Sequence, residues 1–88
     1  MVYLQDLHNG FSRLMADSEQ ELRRYVKSQK IPMSWIQYPK TWYVHCDVTE
    51  SAEQRIKKDA SVKKVTPDEM SALLAQWKEN REARHELR

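Results

Sequence analysis

The sequence predicts an α/β (or α+β) domain: a small, partly parallel sheet of three to five short strands packed against about three helices. Runs rich in β-branched and aromatic residues alternate with helix-start signals, and each helical stretch opens on a Ser/Thr-x-x-Glu/Gln capping box. A single glycine, Gly10, and three prolines, Pro32, Pro39 and Pro67, leave room only for short turns between them. Strands and helices alternating over such connections favour a sheet with helices laid against it.

In chain order, residues 2–5 read as a strand that ends in the His-Asn-Gly turn at 8–10, and residues 11–16 as a second short strand. Ser18 with Glu21 forms a capping box, acidic residues in the first turn suit the positive end of the helix dipole, and Leu22, Tyr25 and Val26 supply a buried stripe. A first helix is expected over roughly 18–29. Pro32 stops it, 33–37 is apolar enough for a short strand, 38–40 turns, and 41–48 is the strongest strand signal in the chain. Ser51 with Gln54 makes a second capping box, and Ala52, Ile56 and Ala60 recur at four-residue spacing, hence a short helix over about 51–59. After a brief strand at 62–65, Thr66 with Glu69 and Pro67 at the first helical position open the clearest amphipathic helix, in which Met70, Leu73, Leu74 and Trp77 recur at i, i+3, i+4 and i+7. Past Trp77 the stripe ends. Residues 1–77 are therefore expected as one compact domain, and 78–88 as a polar helical extension or frayed tail.

Eighty-eight residues suit one domain, and 40% apolar with 32% charged residues gives a compact core under a strongly solvated surface. Fifteen Lys and Arg stand against thirteen Asp and Glu, a balance that argues against a polyanion-binding protein on net charge. The lone Cys46 excludes an internal disulfide and a cysteine-based zinc site. No signal-peptide pattern or membrane-length apolar run is present, so a cytoplasmic protein without a membrane partner is expected.

Side chains alternate along a strand, so Trp42, Val44, Cys46 and Val48 share a core face and Tyr43, His45 and Asp47 the opposite one. If the first strand lies beside this one, Asp6, His8, His45 and Asp47 make a polar binding site and a two-histidine, two-carboxylate ligand set for a divalent metal, the one cofactor type the chain suggests. The plainer reading is that His45 bonds Asp47 or the backbone while Asp47 precedes the next helix. Cys46 points away from His45, which disfavours a Cys-His dyad. Trp35, Tyr38, Trp42 and Tyr43 cluster around the loop between Pro32 and Pro39 and form a candidate partner surface, against the alternative of a core rim. Arg23, Arg24 and Lys27, and Lys57, Lys58, Lys63 and Lys64, form basic stretches that could meet phosphates, or are ordinary wet faces interrupted by acids.

The segments VYLQD, FSRLMADSEQEL, SWIQ and HCDVTESAEQRIKKDASVKKVT together resemble the bacterial and phage family known as domain of unknown function 4031, over roughly residues 2–66. The resemblance implies acidic residues at the end of the first strand, a His-Leu-x-Ala-Asp-like segment before the first helix and a His-Tyr-Asp segment ending the main strand. Asp6, Leu14, Ala16, Asp17, His45 and Asp47 stand at matching places. Arg13 stands where that pattern has a histidine, Cys46 where it has a tyrosine, and Asp59-Ala60-Ser61 where it has a Gly-Ala turn.

The leading expectation is a small binding or regulatory module, phage-encoded by resemblance, that acts through protein-protein contacts rather than by turnover. The alternatives are a metal-assisted phosphoesterase-like hydrolase using the Asp/His cluster, and a nucleic-acid binder using the basic helix faces.

Overall fold

The computed structural model describes residues 1–6 and 11–80. Strand β1 (Val2–Asp6) pairs antiparallel with β2 (Phe11–Ala16), and β2 leads into helix α1 (Glu19–Ser28). A 3-10 turn at Met33–Trp35 precedes β3 (Ile36–Gln37) and β4 (His45–Thr49). Helix α2 (Glu50–Lys57), strand β5 (Val62–Lys64) and helix α3 (Pro67–Glu79) follow. The sheet has the order β3-β4-β2-β1-β5, with β1 and β5 parallel and the other pairs antiparallel. It is the small mixed α/β arrangement that the alternation of elements predicts.

Period-two alternation sorts the strands onto two faces. Val2, Leu4, Leu14, Ala16, Cys46, Val48 and Val62 turn to one face, where Leu22 and Val26 of α1 and Ala52 and Ile56 of α2 cover them. Met15 turns to the other face, where it packs with Val65 and with Met70 and Trp77 of α3, rimmed by Tyr3, Trp42, Tyr43, Leu73 and Leu74. The result is three layers with β2 near the middle of the sheet.

The three expected capping boxes meet different fates. Thr66 is complete: its hydroxyl accepts from the Glu69 amide at 3.1 Å, and the Glu69 carboxylate accepts from the Thr66 amide at 2.8 Å. Ser18 makes one arm, accepting from the Glu21 amide at 3.1 Å, while the Glu21 carboxylate meets the Met1 amino group. The box expected at Ser51 is not used. Strand β4 runs straight into α2 with Thr49 as the N-cap residue, which places Ser51 inside the first turn.

Two strand expectations are also corrected. β4 starts at His45 rather than at residue 41, because Tyr38 (φ 55) and Lys40 (φ 63) flank Pro39 in the left-handed region and turn the chain. Thr41 closes that turn, its hydroxyl donating to the Tyr38 carbonyl at 2.7 Å and accepting from the Tyr43 amide at 3.2 Å. Trp42 therefore leaves the strand and joins the α3-side cluster instead of packing with Val44, Cys46 and Val48. Of residues 33–37, only Ile36 and Gln37 pair as strand. At the C-terminal end α3 runs past Trp77 to Glu79; residues 81–88, most of the expected extension or tail, lie outside the described residues.

Candidate functional site

β2 lies between β1 and β4, so the two strands carrying the Asp/His set are not neighbours. The register places Asp6 opposite Ser12 and Ser12 opposite Val48, on the face that α2 covers. His45 and Asp47 occupy the other face. Asp6 instead meets the Lys57 ammonium at 3.7 Å, and Lys57 also reaches Glu53 at 3.2 Å. His8 lies outside the described residues. Among the described residues no group of three or more His, Cys, Asp or Glu side chains is placed to hold a metal ion.

His45 and Asp47 lie side by side on one face of β4, the imidazole buried and the carboxylate partly exposed. The His45 residue is 4% exposed, and its Nδ1–H donates to the Tyr43 carbonyl at 2.8 Å, since a carbonyl can only accept. Nε2 faces the Asp47 carboxylate at 3.8 Å, beyond hydrogen-bond distance. The other Asp47 oxygen accepts from the Gln37 amide at 2.9 Å, tying β3 to β4. Tyr43 and Tyr38 pack against the imidazole at centroid distances of 4.5 and 5.6 Å, and the Arg13 guanidinium sits 5.3 Å from the Tyr43 ring centre. Gln5, Arg13 and Asp47 stand in one rung across β1, β2 and β4, with Gln5 Oε1 and Arg13 Nε buried and unpartnered. Cys46 points to the opposite core, where burial first and the Asp47 charge second push its thiol up to about 12. That placement follows the alternation read from sequence.

The four aromatics of the predicted partner surface are divided. Trp42 and Tyr43 pack against the α3-side core, Trp35 leans on the other core, and Tyr38, 57% exposed, is the outward one. A residue not singled out from sequence joins Trp35: Phe11, at the start of β2 and 48% exposed. With Ser34, Gln37, Asp47 and Thr49, these two rings line a hollow of about 480 Å³ beside β3. Phe11 also borders a hollow of about 220 Å³ lined by Asp6, Glu50 and Glu53. The signal was present: Leu14 and Ala16 set the core face of β2, so Ser12 turns inward and Phe11 joins Arg13 on the other side.

The basic residues spread over separate elements. Arg23 pairs with Glu19 at 2.8 Å, Arg24 and Lys27 are exposed on α1, Lys57 and Lys58 sit at the end of α2, and Lys63 and Lys64 lie on β5. Lys64 folds back to donate to the carbonyls of Asp59 and Val62, at 2.8 and 3.1 Å.

Fold and site thus define a small mixed-sheet α/β domain whose outer strand β3 borders a hollow walled by two aromatic rings. Compared with protein-family models, curated proteins and solved structures, the chain gives no significant match. No helix among the described residues is long and apolar enough to cross a membrane.

Proposed function

We propose that this chain is a small binding or regulatory module that engages a protein partner at the hollow beside β3. A cytoplasmic setting and kinship with domain of unknown function 4031, on the motifs quoted above, belong to the same reading. The observation that carries it is that Phe11 and Trp35 line one surface hollow, since aromatic side chains dominate the binding energy of protein interfaces. The hydrolase alternative needs Asp6 and Asp47 to converge, and the register sets them on opposite faces.

A photo-crosslinking residue at position 37 should trap a discrete partner in source cells. Phe11→Ala, folded by circular dichroism because Phe11 lies outside both cores, should cut that adduct about tenfold, the effect of losing roughly 1.4 kcal/mol. An adduct of unchanged yield in Phe11→Ala would remove the hollow as the partner site.

A further inference from the structure

Resting on that reading, we infer that the partner anchors itself by one arginine, its stem against Phe11 and Trp35 and its guanidinium on the Asp47 carboxylate at the floor of the hollow. The sheet order β3-β4-β2 and the register fix the layout. Asp47 and Thr49 lie two residues apart on one face of β4. Phe11 stands opposite Thr49 on the inner neighbour, β2, while Ser34, Trp35 and Gln37 come from β3 and the turn before it. The hollow therefore lies over β4, on the face of the sheet, with an aromatic ring contributed from each side.

Among the described residues that line it, Asp47 alone is charged. Its side chain is 31% exposed, so a ligand can reach it. One carboxylate oxygen accepts from the Gln37 amide, and the other faces His45 Nε2 at 3.8 Å without a hydrogen bond. Arg13 stands opposite Asp47 in the register, the place of a cross-strand ion pair, yet its guanidinium lies over the Tyr43 ring and no ion pair joins the two. Asp47 thus holds one neutral donor, where a carboxylate offers about four acceptor sites. A partner that covers the hollow strips water from this carboxylate, which is costly unless the partner brings a cation to it. Arginine meets all the walls at once. Its apolar stem and flat guanidinium suit aromatic faces, and its five N–H groups can reach Asp47 together with the Ser34 and Thr49 hydroxyls of the same hollow. A lysine ammonium is a more strongly hydrated point charge and matches the rings less well.

Panning a random dodecapeptide display library against the whole chain supplies the probe, and the winning peptides are expected to share an arginine. Synthetic copies titrated into isotope-labelled protein should shift the backbone amides of Gln37, Asp47 and Thr49 and the Trp35 indole N–H. Citrulline in place of that arginine keeps the shape and loses the charge, and should weaken binding about tenfold, with lysine restoring only part of the loss. Asp47→Asn keeps an acceptor for the Gln37 amide and should weaken the arginine peptide by a similar factor, yet leave the citrulline peptide unaffected. Thr49→Lys, at an N-cap position whose side chain makes no capping bond, sets a cation of the chain's own beside Asp47 and should abolish arginine binding. Winners without a shared arginine, no enrichment at all, or an Asp47→Asn chain that binds the arginine peptide as tightly as before would overturn the inference. So would a concentration-dependent dimer that shields the hollow in light scattering. Arginine-free winners that still shift the hollow's amides would sink the arginine anchor alone and leave protein docking standing. An unchanged crosslink yield in Phe11→Ala would remove the hollow, and the anchor with it.

Discussion

Cys46 and His45 are adjacent in sequence and separated by the thickness of the sheet, and that separation decides their chemistry. With the Cys46 thiol up to about 12, against an ordinary value near 8.5, the folded chain at pH 8 holds roughly a thousandfold fewer thiolates than the unfolded one. Alkylation by iodoacetamide should accordingly be at least about a hundredfold slower in the native protein than in denaturant. Comparable rates would mean that the cysteine is not held in the core. At this scale the sequence was readable, because alternation alone assigns Cys46 to the core and His45 to the opposite face. It did not tell what lies beside His45. The arrival of β2 between β1 and β4 is a long-range pairing that leaves no local trace, and it divides Asp6 from Asp47.

Among the elements, helix starts show where pattern and geometry part. Thr66 heads a reciprocal box whose carboxylate, Glu69, is held below its usual range chiefly by the Thr66 amide. Thr66→Ala should therefore cost about 1 kcal/mol, lowering Tm by roughly 4–8 °C in a domain of this size. Ser51, with the same sequence signature, sits inside α2 and caps nothing, so Ser51→Ala should leave Tm unchanged or slightly higher, alanine being the better helix former. Equal losses from both substitutions would contradict the capping assignment. The late start of β4 had no comparable signal. Trp42 and Tyr43 favour strands by residue type, and the left-handed backbone at Tyr38 and Lys40 is one that neither tyrosine nor lysine advertises. Phe11, by contrast, was legible, since the inward Ser12 beside Leu14 and Ala16 leaves its ring on the opposite side.

Across the whole molecule, segments distant in sequence are joined by protonation-dependent contacts that should limit stability at both ends of the pH range. The Tyr25 hydroxyl on α1 donates to the Asp59 carboxylate, beyond the end of α2, at 2.8 Å, and Tyr3 on β1 donates to Asp17 at 2.9 Å. Burial first and these bonds second push the Tyr25 phenol well above its usual range and Tyr3 up to about 12. Unfolded tyrosines lose their protons near pH 10 and an unfolded cysteine near pH 8.5, whereas the folded groups keep theirs, so above about pH 9 the unfolded state binds fewer protons and stability falls as pH rises. On the acid side, Asp59 is held down by the Ser61 hydroxyl first and by Tyr25 next, and Glu69 by Thr66. Their stabilisation is complete above the unfolded carboxylate values near 4 and is lost as pH drops through the folded ones. A thermal-melt series should thus show a plateau between about pH 5 and pH 8 that falls away on both sides. Tyr25→Phe should flatten both limbs, the alkaline one because a titrating phenol is gone and the acid one because Asp59 loses a donor. An alkaline limb as steep as that of the parent would show that the contact between α1 and Asp59 does not govern the high-pH limit.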